Sequence, residues 1–134
     1  MTGRLFVDTN ILVYAVDFND PKSETARSLL KGDEICLSTQ VLHEFYVAVT
    51  RARRASPHTH DEAVAWVQLW KNFDVHPITV DHTDLAIEIK ARFQLSFYDA
   101  LIVASAHLAG CRTLITEDLN SGQDYGGVRV RNPF

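Results

Sequence analysis

The sequence has few cysteines and no pattern typical of a disulfide framework, a signal peptide or a membrane span. Its 134 residues include only two cysteines, Cys36 and Cys111, which form no Cys-x-x-Cys or Cys/His pattern. Both lie in apolar contexts, so we interpret them as buried free thiols rather than a disulfide or a zinc site. No apolar run approaches the ~20 residues that span a bilayer, and the N-terminus lacks a signal-peptide pattern. Together these absences predict a cytoplasmic protein.

Length and composition predict a single globular domain. A chain of 134 residues with 46% hydrophobic residues is near the usual size of one domain and can bury roughly two thirds of its unfolded surface. The formal net charge of −4 argues against a surface coated in positive charge for nonspecific nucleic-acid binding. It does not exclude a local basic patch.

Strand-like and helix-like segments alternate along the chain. Short apolar strands are predicted at residues 4–7, 34–37, 74–78, 112–116 and 128–130. Helices are predicted at residues 10–16, from Asp20 or Ser23 to near Gly32, from a Ser38 or Thr39 cap to about Arg54, and at 61–73, 81–94 and 96–110. This alternation predicts an α/β fold with a parallel sheet, which binds ligands outside the carboxyl ends of its strands.

Four acids occupy positions whose neighbours are apolar. Asp8 and Asp118 each follow a predicted strand, Glu44 lies on the apolar face of a predicted helix, and Asp99 opens an apolar helix. Like-charged carboxylates brought toward a core repel strongly unless a cation joins them. Hard carboxylate oxygens without nearby histidine or cysteine ligands suit Mg²⁺ or Mn²⁺ rather than zinc. The joint pattern therefore predicts a metal-dependent enzyme.

Each acid taken alone also has a purely structural interpretation. Asp8 has the position of a turn or cap residue, and Asp99 is the last residue of an S-x-x-D capping sequence. Glu44 can reach water or pair with Arg51, and Asp118 can belong to a polar surface loop. These alternatives leave open a binding domain whose acids only cap helices and turns.

Four segments of the chain resemble, in order, the four acidic motifs of PIN-domain ribonucleases. They are LFVDTNIL at 5–12, VLHEF at 41–45, YDALIVA at 98–104 and LITEDL at 114–119. Within that family, the whole chain is most similar to VapC toxins of bacterial type II toxin–antitoxin pairs. Residues 122–134 are similar to the ending of one VapC subgroup.

The resemblance implies a single PIN domain over residues 1–134. Its fold would be a three-layer α/β/α sandwich around a parallel sheet of about five strands in the order 3-2-1-4-5. It also implies which acids form the catalytic, metal-binding cluster for Mg²⁺, or alternatively Mn²⁺: Asp8, Glu44, Asp99 and Asp118.

Three further residues enter through the same resemblance. Thr116 matches a hydroxyl position that supports the metal shell in the family, and Asn10 is expected to be a polar neighbour of Asp8. Glu117 adjoins Asp118 and could supply a carboxylate at that place instead, although Asp118 is the expected one.

The activity implied by the resemblance is metal-dependent hydrolysis of RNA phosphodiester bonds. The implied partners are an RNA substrate, a cognate VapB-like antitoxin and a second copy of the chain in a homodimer. Arg51, Arg53 and Arg54 are candidates for phosphate contacts, although cations at a helix C-terminus are also stabilising by themselves. Apolar residues within 20–31 and 41–49 are the expected antitoxin surface.

Two other functional classes compete with this hypothesis. A haloacid-dehalogenase-like phosphatase would use Asp8 as a nucleophile, but that family has a second acid two residues later, where this chain has Asn10. A PIN-like module that binds without catalysis would fit the same motifs. Cleavage of RNA in the presence of Mg²⁺ separates the three hypotheses.

Overall fold

The computed structural model describes residues 3–32 and 34–134. The strands are β1 (Arg4–Val7), β2 (Glu34–Ser38), β3 (Asp74–His76), β4 (Thr113–Ile115) and β5 (Arg129–Arg131). The helices are α1 (Thr9–Val16), α2 (Ser23–Gly32), α3 (Thr39–Thr50), α4 (His60–Trp70), α5 (Val80–Phe93) and α6 (Phe97–Leu108). Met1, Thr2 and Asp33, which belong to the predicted domain, lie outside the described residues.

The five strands form one parallel sheet in the order β3-β2-β1-β4-β5. Helices α1 to α4 pack on one another, α5 packs on α6, and the helices flank the sheet. The predicted α/β/α architecture and strand order are therefore confirmed. Because the chain order reverses between β1 and β4, the carboxyl ends of these two strands border the crevice where such sheets bind ligands.

The central strands are buried on both faces, as expected for a parallel sheet covered by helices. Phe6 and Val7 of β1, Leu37 of β2, and Leu114 and Ile115 of β4 are fully buried. Strand β1 has only four residues, so its buried run stops at Asp8 and the carboxyl end of the sheet begins there.

Helix caps fix where three helices begin at that end of the sheet. Asp8 caps α1 by accepting a 2.7 Å hydrogen bond from the N–H of Thr9. Ser38 caps α3, and Ser96 caps α6 by accepting from the N–H of Asp99 at 3.2 Å. Such caps satisfy N–H groups that have no partner inside the helix. They also place the starts of α1 and α3 directly at strand ends.

Several predicted boundaries were wrong by a few residues, and the largest error was at α3. This helix ends at Thr50 rather than near Arg54, because the N–H of His58 bonds the carbonyl of Val49 at 2.7 Å and turns the chain back. The helix therefore ends seven residues before Pro57, the residue predicted to break it. Helix α4 likewise ends at Trp70 rather than at residue 73, since the following residues form a turn.

The strand edges shifted as well. Strand β3 stops at His76, short of Pro77, and β5 occupies residues 129–131 rather than 128–130. Both cysteines are buried free thiols, as predicted. None of the helices in the described residues is long and apolar enough to cross a membrane.

Candidate active site

Asp8 is the most buried acid of the predicted cluster, with 5% of its surface exposed. One carboxylate oxygen accepts from the N–H of Thr9 at 2.7 Å, and the other accepts from the Thr116 hydroxyl at 2.9 Å. Burial raises the pKa of Asp8 to about 7, against the lowering effect of these two hydrogen bonds. The nearby charges of Asp118 and Glu44 add to the increase in this pKa.

Thr116 joins the carboxyl ends of β1 and β4. Its hydroxyl donates to Asp8, and the same oxygen accepts from the Asn10 side-chain amide at 3.1 Å and from the N–H of Asp118 at 3.0 Å. A hydroxyl has one donor and two acceptor positions, so all of its hydrogen-bonding capacity is used. Thr116 is fully buried, and the arrangement therefore has little freedom to shift.

Asn10 links this hydroxyl to the exposed acid of the cluster. Its Nδ2 also donates to Oδ2 of Asp118 at 3.0 Å. A single amide group thus holds both Thr116 and Asp118, while Thr116 holds Asp8. The structure therefore brings together four predicted site residues: Asp8, Asn10, Thr116 and Asp118.

Glu44 approaches the same place from α3, with both of its oxygens held. Oε1 accepts from the Thr9 hydroxyl at 2.8 Å, and Oε2 accepts from Nε2 of Gln40 at 3.3 Å. The prediction from sequence missed Thr9 and Gln40 as supporting residues. The signals available for them were the place of Thr9 beside Asp8 and the one-turn spacing from Gln40 to Glu44.

Asp99 is connected to the cluster more loosely. Its N–H is capped by Ser96, and its side chain is partly exposed. The Nε2 of Gln40, which holds Glu44, also bonds the carbonyl of Tyr98 at 3.3 Å. Gln40 thereby ties α3 to the start of α6, next to Asp99. The structure places the Asp99 backbone near Glu44 without a direct bond between the two carboxylates in the described residues.

Glu117 belongs to a separate cluster. Its carboxylate accepts from Nζ of Lys22 at 2.7 Å and from the hydroxyl of Tyr14. Partial burial raises the pKa of Glu117, but the hydrogen bonds from Lys22 and Tyr14 lower it by more, so the net direction is down. Asp118, and not Glu117, contacts Asn10. The geometry therefore favours Asp118 as the acid facing Asp8.

A cavity of about 540 Å³ opens beside these groups. Thr9, Asn10, Glu44 and Asp118 line it, and Arg51, seven residues after Glu44, lines it as well. Val13, Val47 and Ala48 supply an apolar wall. The cavity thus combines an acidic part, an apolar wall and one guanidinium.

The three arginines predicted to contact RNA have different surroundings. Arg51 lines the cavity, and Arg53 is exposed beyond the end of α3. Arg54 is largely buried and pairs with Asp17 at 3.3 Å. Among these three, the structure places only Arg51 where it could meet a ligand of the acidic cluster.

The donor atoms at this site fit a hard divalent cation. They are carboxylate oxygens together with two buried side-chain oxygens, Oδ1 of Asn10 and Oε1 of Gln40, for which residues 3–32 and 34–134 supply no hydrogen-bond partner. Buried acceptors without partners are costly, and coordination of a cation, directly or through water, would satisfy them. Oxygen ligands of this kind are those that Mg²⁺ prefers.

The fold and site together define a class: parallel α/β sandwiches with an acidic cluster at the carboxyl ends of the two central strands. The sequence model of the PIN domain matches residues 5–122, most of the chain. The chain therefore belongs to the PIN domain family, and the family prediction is confirmed. The comparison with curated protein sequences gave no match.

Three solved structures with the same fold cover between 82% and 100% of the chain. A toxin–antitoxin complex from Klebsiella pneumoniae is 21% identical, with 98% of each chain covered and a TM-score of 0.70. DNA-bound VapBC from Salmonella typhimurium is 18% identical over 100% of each chain, with a TM-score of 0.72. Mycobacterium tuberculosis VapC20, a sarcin-ricin loop cleaving toxin, is 25% identical over 82% of this chain and 86% of its own, with a TM-score of 0.67.

Proposed function

We propose that this chain, as a single PIN domain over residues 1–134, is a metal-dependent endoribonuclease and the toxin of a VapBC-type pair. One observation carries the proposal: the Thr116 hydroxyl and the Asn10 amide hold Asp8 and Asp118 together at the ends of β1 and β4. Such an arrangement keeps two carboxylates close despite their repulsion. Membership of the PIN family supports a nuclease as the class of enzyme.

The acidic cluster of Asp8, Glu44, Asp99 and Asp118 would hold Mg²⁺, or alternatively Mn²⁺. When bound, the ion would lower the pKa of a water molecule and offset the charge that develops on the phosphate. Asp8 must be a carboxylate to serve as a ligand, and its pKa of about 7 means that it is partly protonated at neutral pH without a cation.

The remaining residues of the site position these acids and the substrate. Thr9 and Gln40 fix the two oxygens of Glu44, so its carboxylate faces the cavity in one orientation. Arg51 would bind a phosphate along the cavity, with Arg53 as a weaker candidate because of its place outside it. Arg54 could contact a phosphate only if its ion pair with Asp17 were broken.

An antitoxin partner is supported by the surface next to the acidic cavity. A second cavity of about 510 Å³, lined by the apolar residues Leu42, Val47, Val64 and Val67, shares His43 and Val47 with the first. A VapB-like segment lying in both cavities would cover the acids. The solved VapBC complexes with this fold support that partner. The homodimer stays a proposal that rests on the family resemblance.

The test is cleavage of RNA by the purified full chain with Mg²⁺ or Mn²⁺. Asp8→Asn should abolish cleavage, and the matched control Asp84→Asn, which changes an exposed acid on α5, should not. Cleavage that persists in EDTA, or in Asp8→Asn, would contradict the proposal. Mapping of new RNA ends after induced expression would identify the substrate.

A PIN-like module that binds without catalysis is the second candidate, because Asp8, the most buried of the four acids, also caps α1. It predicts RNA binding by the wild type without cleavage under any metal condition. A small protein encoded beside the gene should bind the chain and suppress cleavage if the toxin–antitoxin proposal holds. Cleavage that is unaffected by that protein would agree with the nuclease proposal and contradict the antitoxin proposal.

A further inference from the structure

A second group of potential metal ligands lies between β2 and β3. The ligand atoms of Cys36, Asp74 and His76 all lie within 4.8 Å of one another. Nε2 of His76 is 3.0 Å from Oδ2 of Asp74, and Sγ of Cys36 is 3.8 Å from the same oxygen. Each of the three residues contributes a different donor element, namely sulfur, oxygen or nitrogen.

The pairing of the two strands explains this convergence. Cys36 is the lateral partner of Asp74 in the parallel register, and His76, two residues beyond Asp74, projects from the same face of β3. The cysteine is separated by 38 residues from Asp74. For that reason, no short spacing in the sequence joins the cysteine to the other two ligands.

A cationic group already occupies the middle of these donors. Nη2 of Arg4 lies 2.9 Å from Sγ of Cys36 and 3.5 Å from Nε2 of His76, and it also bonds Oδ2 of Asp74. The same guanidinium has another acid within reach, because its Nε is 3.7 Å from Glu34. Arg4 therefore has a partner to turn to if a different cation takes its place.

We propose that Cys36, Asp74 and His76 form a Zn²⁺ site for which the Arg4 guanidinium competes. Zn²⁺ takes cysteine sulfur, histidine nitrogen and aspartate oxygen, commonly with three protein ligands and a water molecule. The side chains of Asp74 and His76 are 50% and 30% exposed, so an ion can enter from solvent. On binding, the Cys36 thiol gives up its proton to water.

This site differs in chemistry from the acidic cluster. The acidic cluster offers hard oxygens, which suit Mg²⁺, whereas the Cys36 group has a soft sulfur and an imidazole. A bound Zn²⁺ would tie the edge strand β3 to β2. Metal preference, and not the mere presence of a metal, is therefore what separates the two sites in an experiment.

The test is a titration of the reduced full chain with Co²⁺, which reports a bound thiolate through a ligand-to-metal charge-transfer absorption in the near ultraviolet. One such absorption with a stoichiometry of one Co²⁺ per chain is expected, and Zn²⁺ should displace it while excess Mg²⁺ should not. Cys36→Ser should remove the absorption. The control Asp84→Asn, which changes an exposed acid on α5, should keep it. Cys111 is not used as a control, because its thiol lies beside Cys36.

Two further variants test the geometry. His76→Asn should weaken Co²⁺ binding by more than about tenfold, through the loss of a ligand. Arg4→Gln should strengthen it by about fivefold, the size of a partly exposed ion pair. Circular dichroism of each variant shows whether it is folded. If Cys36→Ser does not fold, His76→Asn, which lies at the edge of the sheet, tests the site in its place.

Three results would overturn the proposal. They are the absence of a thiolate absorption in both wild type and Arg4→Gln, its persistence in Cys36→Ser, and unchanged binding in His76→Asn. Weaker binding in Arg4→Gln would overturn the competition between Arg4 and the metal. None of these results bears on RNA cleavage, so the two proposals fail independently.

Discussion

The buried acid Asp8 should make the protein without metal less stable as the pH rises, and Asp8→Asn should remove this dependence. The folded state raises the pKa of Asp8 from 3.8 to about 7, mainly through burial. The folded protein therefore binds a proton that the unfolded chain has released between these two pH values. Stability then falls as the pH rises through this window, and the full loss is present above pH ~7.

The magnitude follows from the size of the difference in pKa. At about 1.4 kcal/mol for each pKa unit, a change from 3.8 to about 7 corresponds to roughly 4 kcal/mol. Roughly 3 kcal/mol of this should be lost between pH ~5 and pH ~8. Asparagine resembles the protonated acid and carries no charge, so Asp8→Asn should lack this part of the pH dependence.

The assay is urea unfolding in EDTA at both pH values, for wild type, Asp8→Asn and the exposed control Asp84→Asn. The free energy of unfolding of Asp8→Asn relative to wild type should rise by roughly 3 kcal/mol from pH ~5 to pH ~8, and Asp84→Asn should follow wild type. Mg²⁺ should restore stability to wild type at the higher pH and not to Asp8→Asn. An equal difference at both pH values would refute the reasoning, because it would mean that burial does not penalise the Asp8 carboxylate.

Three more predictions concern the groups around the acids. Thr116→Val should lower the rate of RNA cleavage by about 10- to 100-fold, since it removes a hydrogen bond to a charged group. Thr116→Ser should recover most of the lost rate, and equal rates for the two variants would contradict a role for the hydroxyl. Gln40→Leu should lower kcat about fivefold with little change in KM, because Gln40 orients Glu44, and a purely raised KM would contradict this role. Arg51→Gln should raise KM and reduce the salt dependence of RNA binding by about one phosphate contact, whereas Arg53→Gln should have a smaller effect on both.

Local patterns in the sequence were sufficient for the order of elements and for the acids at their ends. A buried strand of β-forming residues that stops at an aspartate, or a helix that opens with S-x-x-D, is specified by neighbours a few residues apart. Such local patterns can be recognised without a structure. They predicted the parallel α/β sheet and the places of Asp8, Glu44, Asp99 and Asp118 relative to its strands and helices. The catalytic roles of these acids stay predictions.

The ends of helices were harder to predict because they depend on contacts made by residues outside the helix. Helix α3 contains no strong breaker before Pro57, yet it ends at Thr50, where a backbone bond from His58 to Val49 competes with helix continuation. The consequence reaches the site: Arg51 lines the cavity, and Arg54 turns to Asp17. The three arginines that the sequence predicted to share one helix therefore lie in three different environments.

The sequence by itself determined which residue types stand at the strand and helix ends, because apolar periodicity and capping are local properties. Only the tertiary structure decided which of those groups meet. Glu117 and Asp118 are adjacent, and the choice between them depends on Lys22 and Asn10, which come from other parts of the chain. The Thr116 hydroxyl reaches Asp8 across 108 positions of sequence, a contact set by the pairing of β1 with β4 and invisible to any spacing along the chain.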